Sequence, residues 1–214
     1  MKNRFYIACF RDNVGSNVSF HCIDGKGYAT DINKAHVYSL EEAQKEWDTG
    51  RTYDRPISAD HVDELAVWKV DHQYLPNETQ IIDGVIGYAV FVKGQYDGND
   101  VFWLNKKSFE ASTDFELASY FSSEEITELG RQYIAIPYHL ADKAKRRTFD
   151  FSKYNPRKMT QGAGLKMPVH LKKAKRRVES PKSRFNCPHC GKIVWQFNPY
   201  DFDHCNHCGH MGEL

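Results

Sequence analysis

An internal duplication constrains the fold of this 214-residue chain more than any other feature of its sequence. When the chain is shifted by 83 positions without a gap, Thr30, Asp31, Ala35, Ser39, Glu41 and Glu42 align with Thr113, Asp114, Ala118, Ser122, Glu124 and Glu125. Residues of like character extend the match upstream, as with Phe20 and Trp103. Such self-similarity predicts one supersecondary unit built twice.

Both copies have the same order of predicted elements. Each begins with two apolar, β-rich runs around turn residues, which predicts a hairpin. Each then has a Ser-x-x-Glu helix start, at Ser39 and at Ser122, in which hydroxyl and carboxylate cap each other's backbone amides. A further strand-like run follows, LAVWKV in the first copy and QYIAIPY in the second. We predict an α+β protein with two tandem ββαβ-like repeats, residues 1–82 and 83–140.

Two acidic patterns in the repeats have a catalytic and a structural interpretation. Asp31 and Asp114 are candidates for paired acid/base carboxylates, but we favour a turn or cap, which also requires the same residue in both copies. The stretch Asp60-His61-Val62 resembles the start of a His-Asn-His nuclease site but lacks the matching Asn and His. We favour a capped helical turn there and predict that the protein is not an enzyme.

Charge divides the chain into three regions. Residues 1–140 carry 13 Lys and Arg against 22 Asp and Glu, residues 141–184 carry 15 against 3, and the last thirty residues carry 1 against 3. The string Lys-Ala-Lys-Arg-Arg occurs at 143–147 and again at 173–177, and we expect a helical turn at each. Prolines and glycines between them predict a mobile loop. The sequence thus predicts a basic linker over residues 141–184.

The natural partner of such a linker is the phosphate backbone of nucleic acid, and we expect DNA rather than RNA. The candidate contacts are Lys143, Lys145, Arg146, Arg147, Arg157, Lys158, Lys172, Lys173, Lys175, Arg176 and Arg177, together with Trp195 as a stacking platform. Two alternatives stay open. The segment could instead fold back on the acidic body of the same chain, or it could be a solvated linker.

Four cysteines close to the C-terminus form two Cys-x-x-Cys pairs separated by fourteen residues. The pairs are Cys187 with Cys190 and Cys205 with Cys208, and a glycine follows each. Such pairs present soft thiolates to one ion, and zinc prefers four ligands of this kind in a tetrahedron. We predict one structural Zn²⁺, because four cysteines leave no open position for water. A rubredoxin-like iron site and competing histidine ligands are the weaker alternatives.

The stretches Cys187-Pro188-His189-Cys190-Gly191 and Cys205-Asn206-His207-Cys208-Gly209 resemble the two knuckles of the zinc ribbon family. The resemblance covers residues 185–214 and implies a small domain that binds nucleic acid, RNA polymerase or other proteins. Trp195 and Phe197 share one face of a predicted strand in this ribbon. They are expected either to stack on unpaired bases or to form the apolar face or docking surface of the ribbon.

The N-terminal repeats, in the stretch GKGYATDINKAHVYSLEEA and its echo, are similar to accessory proteins of bacteriophages and prophages. This resemblance implies action on nucleic acid or on a host complex. We expect a nucleic-acid binder first and, as the alternative, a protein-binding modulator that inhibits a host defence or transcription complex through its acidic repeats. The absence of long apolar runs predicts a soluble, cytoplasmic protein with no membrane partner and with oligomerisation left open. The resemblance to phage proteins implies that this cytoplasm is the host's.

Overall fold

The duplicated sequence folds into two copies of one arrangement of strands and helices. The computed structural model describes residues 3–174 and 181–212. The chain divides into a first unit that ends at Leu171 and a second that begins at Lys172. Both repeats lie in the first unit. The mixture of helices and antiparallel sheets confirms the predicted α+β class.

The elements of the first repeat are β1 (Phe5–Val14), β2 (Asn17–His21), β3 (Tyr28–Ala29), α1 (Leu40–Thr49), β4 (Asp54–Ser58), α2 (Ala59–Glu64) and β5 (Val67–Lys69). The second repeat has β6 (Tyr88–Asp97), β7 (Asp100–Leu104), β8 (Ala111–Ser112), α3 (Ser123–Thr127), β9 (Tyr133–Pro137), α4 (Tyr138–Ala144) and β10 (Arg146–Thr148). The strand order is β3-β2-β1-β4 in one antiparallel sheet and β8-β7-β6-β9 in the other. A third, two-stranded sheet joins β5 to β10.

The local signals of the sequence are confirmed where they depend on near neighbours. Ser39 and Ser122 each accept a hydrogen bond from the amide three residues on, and Glu42 and Glu125 each accept one from the cap amide. Asp31 and Asp114 each accept from the amide two residues on, Asn33 and Glu116. The duplicated aspartates are therefore turn caps, as favoured above.

The strand that directly follows the first helix lies earlier in the chain than predicted. LAVWKV contains β5, whereas the counterpart of β9 is β4, at Asp54–Ser58. The spacing between equivalent residues falls from 83 before the helices to 79 after them, because α3 is five residues long and α1 is ten. A comparison at one fixed offset cannot follow this change. Each repeat consequently has one helix and two strands more than the predicted ββαβ unit.

The last strand of each repeat is outside the repeat's own sheet and pairs with the last strand of the other repeat. β5 pairs antiparallel with β10, with Trp68 opposite Arg147 at the centre of the register. Immediately after β10, the carbonyl of Phe149 accepts a hydrogen bond from the amide of Val18 at 2.9 Å. Immediately after β5, the carbonyl of Val70 accepts one from the amide of Val101 at 3.1 Å. The two halves of the chain are thus joined as pseudo-symmetric partners within one polypeptide.

This exchange also mixes the two hydrophobic cores. Phe149 of the second repeat is buried in the core of the first, against residues such as Phe20 and Ile57. Val70 of the first repeat is buried in the core of the second, with Trp103 and Phe115. Each repeat therefore depends on the other for part of its buried apolar surface, and such burial is the main favourable term in folding.

Two glycines meet where the hairpin turns of the repeats approach each other. Gly15 and Gly98 occupy equivalent turns and have φ of 62° and 63°, a region that other residues rarely adopt. A Cβ added to Gly98 would lie 2.6 Å from the backbone nitrogen of Gly15. Both conformation and space therefore require glycine at this contact.

A buried polar cluster surrounds the same contact. Asp100 is fully buried, accepts from Nδ2 of Asn17 at 2.6 Å and pairs with Nη2 of Arg146 at 2.7 Å. Lys69 is also buried and donates to Asp97 at 3.0 Å. Burial acts to raise the pKa of Asp97, but hydrogen bonds from Ser16 and Lys69 outweigh it, and the pKa lies below its ordinary value. The charges at the junction are paired rather than solvated.

The segment expected to be a basic linker lies largely within the first unit. Its residues through Leu171 belong to that unit. Arg146 and Arg147 are in β10 rather than in a helical turn, because the helix ends at Ala144 and β5 supplies a pairing edge. In the expected mobile loop, Met159 is buried in the core of the first repeat and Leu165 packs beside α1. Apolar side chains between the prolines and glycines anchor this stretch.

In its described residues, the second unit has a short hairpin and two cysteine-bearing turns. A helix, α5 (Val169–Ala174), precedes β11 (Ser183–Asn186) and β12 (Ile193–Gln196). β11 and β12 pair antiparallel, with Phe185 opposite Val194. The buried cluster of this unit consists of Val194, Cys187 and Cys205, with Phe202 against it. So small a core is insufficient alone and calls for an additional crosslink.

Candidate metal centre and nucleic-acid interface

Two backbone turns present the four C-terminal cysteines. The amide of Gly191 donates to the carbonyl of Cys187 at 2.9 Å, and the amide of Gly209 donates to the carbonyl of Cys205 at 2.9 Å. Gly191 and Gly209 have φ of 70° and 72°, which lets the chain reverse immediately after the second cysteine of each pair. The two turns have the same geometry, as the repeated Cys-x-x-Cys-Gly pattern predicts.

The four sulfur atoms converge on one point. All lie within 4.8 Å of one another, with Sγ of Cys187 3.7 Å from Sγ of Cys208 and Sγ of Cys190 3.6 Å from Sγ of Cys205. A tetrahedron of thiolates around zinc has sulfur–sulfur distances of about 3.8 Å, given Zn–S bonds of about 2.3 Å. The residues present therefore fit a four-coordinate metal ion. Among the described residues, no histidine belongs to this converging group.

Backbone amides stabilise thiolates at this centre. Burial acts to raise the pKa of Cys205, but the amides of His207 and Cys208 and the neighbouring sulfurs bring it down to about 6. At Cys208 the amide of His210 favours the thiolate, yet burial and the other three sulfurs raise its pKa to about 12. Negative charge at one sulfur opposes ionisation of the next. A cation at the centre would balance four such charges.

The outward face of the ribbon carries the aromatic side chains noted in the sequence. Along β12, Val194 and Gln196 are buried, whereas Ile193 and Trp195 are exposed. Phe197 continues the exposed set just past the strand. Trp195 is 51% exposed and Phe197 69% exposed, so neither side chain is part of the small core. The core side of the hairpin is filled by other residues, and the two rings lie on the opposite side.

Basic side chains lie beside these rings. Arg184 is exposed and stands opposite Trp195 in the β11–β12 register, so the two share one face. The Lys182 ammonium is 4.9 Å from the centre of the Phe197 ring. In the sequence, only their charge distinguished Arg184 and Lys182 as site residues. Strand register is what brings them to the aromatic face, and it becomes visible only in the folded hairpin.

The first group of predicted phosphate contacts is engaged within the first unit. Lys145 pairs with Asp142 at 2.6 Å, Arg146 with Asp100 at 2.7 Å and Arg147 with Asp63 at 3.0 Å. The remaining member of the group, Lys143, is exposed. The alternative in which this part of the segment folds back on the acidic body therefore describes Lys145, Arg146 and Arg147.

The other predicted contacts are distributed over exposed and undescribed positions. Arg157 and Lys158 are exposed on the helical turn Arg157–Gln161 of the first unit. Lys172 is exposed in α5. The side chain of Lys173 lies outside the described part of the chain, as do Lys175, Arg176 and Arg177.

The nuclease-like stretch has structural partners. Asp60 pairs with Arg4 at 2.6 Å, and Nδ1 of His61 is 3.1 Å from Oγ of Ser58. Val62 is fully buried in the core. These residues form the short helix α2 as predicted, but the side chain of Ser58 at its N-cap makes no capping hydrogen bond.

No protein-family model, no curated protein and no solved structure matches this chain. Among the described residues, no helix combines the length and apolar character needed to cross a membrane. The function must therefore be argued from the chemistry of the ribbon and of the repeats.

Proposed function

We propose that this protein is a non-enzymatic zinc-ribbon protein that binds nucleic acid through its second unit. The observation that carries the proposal is the outward ribbon face, where Trp195 and Phe197 are exposed beside Arg184 and Lys182. Exposed rings interleaved with cations form a surface on which bases stack while their phosphates are neutralised. The four thiolates support zinc as the bound metal, because their softness and tetrahedral spacing suit it.

The role of the zinc is structural in this proposal. Four protein ligands complete the tetrahedron and leave no position for water or substrate. The ion would hold the two turns together and thereby position β12, whose exposed face carries Trp195. Metal binding energy is then folding energy for a unit with few buried apolar residues.

The sequence between the repeats and the first metal-binding turn supplies further charge for the interaction. Residues 172–184 contain seven Lys and Arg against one acidic residue, Glu179. This is the part of the predicted basic segment that lies within the second unit. Such a density of cations favours backbone contacts, which add affinity without reading sequence. We infer that DNA with unpaired bases is the preferred ligand and that the protein acts as a phage-type accessory factor in the host cytoplasm.

Fluorescence anisotropy tests the proposal directly. The full-length zinc-loaded protein is titrated into labelled single-stranded DNA, duplex DNA and RNA across a salt series, beside Trp195→Ala and the control Tyr74→Ala. Tyr74 is an exposed aromatic residue of the first unit, 69% accessible. We expect Trp195→Ala to weaken single-strand binding by about 1–3 kcal/mol and Tyr74→Ala to leave it unchanged. Equal affinity of all three proteins, or no binding at low salt, would reject the proposal. A host protein retained through nuclease treatment and high salt would then favour the protein-binding alternative.

A further inference from the structure

The two repeats differ at the equivalent positions Arg4 and Gly87. The amide of Ala59 donates to the carbonyl of Arg4 at 2.9 Å, and the amide of Tyr138 donates to the carbonyl of Gly87 at 3.0 Å. These matching hydrogen bonds make Gly87 the counterpart of Arg4. The first repeat therefore has a guanidinium where the second has no side chain.

In the first repeat, the guanidinium of Arg4 is held by two carboxylates. Its Nη2 lies 2.6 Å from Asp60 and 3.0 Å from Oδ2 of Asp63. The other oxygen of Asp63 accepts from Arg147 at 3.0 Å and from the Tyr6 hydroxyl at 3.2 Å. The position next to Asp63 is thus a guanidinium-binding site, and the chain's own Arg4 occupies it.

In the second repeat, the carboxylate is kept but its partners are replaced. Asp142 is the counterpart of Asp63, one turn into α4 as Asp63 is in α2. The counterparts of Arg4, Tyr6 and Arg147 are Gly87, Ala89 and Trp68, none of which carries a cation or a hydroxyl. Asp142 pairs instead with Lys145, its neighbour three residues on, through Oδ1. A carboxylate has further lone pairs for a second partner, as Asp63 demonstrates.

A cleft of about 570 Å³ lies at this place, lined by Gly84–Gly87, Tyr120, Tyr138, His139 and Asp142. The rings of Tyr120 and Tyr138 are stacked, with centres 3.8 Å apart and planes 15° apart. Their counterparts in the first repeat are Val37 and Ala59, so the aromatic wall is particular to the second repeat. Burial, together with Tyr120 and nearby carboxylates, raises the pKa of Tyr138 to about 12, so its hydroxyl remains neutral.

We propose that this cleft binds the guanidinium group of an external ligand, in the role that Arg4 plays in the first repeat. Asp142 supplies the hydrogen-bonding anion, and the planar cation lies against the Tyr120–Tyr138 stack. A guanidinium is suited to both contacts, because it presents a fork of donors to a carboxylate and stacks on aromatic faces. A small guanidinium compound and an arginine side chain of a peptide share this chemistry.

The ligand test is an NMR titration of the full-length, ¹⁵N-labelled protein. The probes are agmatine and a capped Gly-Arg-Gly peptide, with capped Gly-Lys-Gly and Gly-citrulline-Gly as controls. We expect the arginine probes to shift the amides of Gly87, Tyr120 and His139, and citrulline, which is neutral, to leave them in place. Asp142→Asn should weaken arginine binding about fivefold to tenfold. The matched variant Glu128→Gln, which removes an exposed acid of the same repeat, should not.

Each outcome of the titration bears on the proposal. Tighter binding of the peptide than of agmatine supports an arginine side chain as the natural ligand, and equal binding supports a small molecule. Shifts produced equally by citrulline, binding unaffected by Asp142→Asn, or no shift at roughly 10 mM probe would overturn the proposal.

A second test needs no ligand and uses Gly87→Arg against Gly87→Ala. A Cβ at position 87 would lie 2.7 Å from Cδ1 of Tyr120, so both variants displace this ring, but only the first provides a guanidinium. We expect Gly87→Arg to melt at a higher temperature than Gly87→Ala, and the difference to vanish when Asp142→Asn is added. Equal melting temperatures of the two variants would contradict the proposed site.

Discussion

Asn17 and Asp100 occupy the same position in the two repeats, and Nδ2 of Asn17 donates a hydrogen bond to Oδ2 of Asp100 across 2.6 Å. Both residues are fully buried where the repeats meet. Two identical aspartates at this contact would repel each other in a medium of low dielectric constant. The amide in one copy and the carboxylate in the other resolve that conflict, so the pseudo-symmetry of the fold is broken at its centre.

Removing the carboxylate at this centre is expected to destabilise the first unit strongly. Asp100→Ala leaves the half-buried Arg146 and the buried Lys69 with less negative charge beside them. Loss of one partner of a buried ion pair costs about 3–5 kcal/mol. Urea unfolding followed by circular dichroism measures this loss. Asp12→Ala, which removes an exposed partner of Arg11, should change the free energy by no more than about 0.5 kcal/mol. Similar values for the two variants would show that the cluster is not a source of stability.

The glycine contact between the hairpin turns predicts a difference between two substitutions with the same backbone strain. Gly98 and Gly94 both have positive φ, 63° and 73°, but only Gly98 has neighbouring atoms that a Cβ would meet. Gly98→Ala is therefore expected to cost about 1–3 kcal/mol more than Gly94→Ala, because the overlap with Gly15 adds to the shared strain. Thermal melting of both variants gives the comparison. Equal losses would mean that the turns can separate without cost.

The exchange of terminal strands predicts where a core mutation acts. Phe149→Ala lies in the second repeat by sequence, yet it removes a fully buried ring from the core of the first repeat. We expect a loss of about 3–5 kcal/mol. Hydrogen exchange should rise first in β1, β2 and β4. Phe151→Ala, which truncates a ring that is 43% exposed, is the control. Exchange that rises first in β6, β7 and β9 would contradict the mixed cores.

The metal centre predicts that the second unit folds only with its ion. Cys208→Ser should abolish stoichiometric zinc in native mass spectrometry, because a structural tetrahedron requires all four thiolates. The NMR signals of residues 181–212 should then collapse to positions typical of unfolded chains, while those of the first unit persist. Cys22→Ser, in the first repeat, should retain one zinc per chain. A Cys208→Ser protein with full zinc and an unchanged spectrum would disprove a structural site.

The ribbon face predicts two separable effects on DNA binding. Arg184→Gln should lower the slope of log K against log salt by about one, because one phosphate contact is lost. Trp195→Ala should reduce the affinity at every salt concentration and leave the slope unchanged, because stacking releases no counterions. Anisotropy titrations of both variants over one salt series distinguish these effects. Parallel changes in slope would show that the aromatic and basic residues do not act as proposed.

Much of the local structure was predictable because its causes lie close together in the sequence. The capping boxes at Ser39 and Ser122 and the turn caps at Asp31 and Asp114 involve residues two or three positions apart. The cysteine spacing and the glycine after each pair likewise specify two similar turns. The duplication itself was visible because both copies kept these short-range signals.

The relationships on which the proposed function rests depend on contacts between distant residues. No local pattern shows that β5 and β10 exchange places, that Arg146 pairs with Asp100, or that Arg184 faces Trp195. The shorter helix α3 also conceals the correspondence of Asp63 with Asp142, whose spacing is 79 rather than 83. Short-range backbone chemistry thus specified the repeated elements and the metal ligands. Long-range packing alone decided which charged side chains form ion pairs within the protein and which surfaces remain exposed to ligands, because burial and pairing depend on the complete fold.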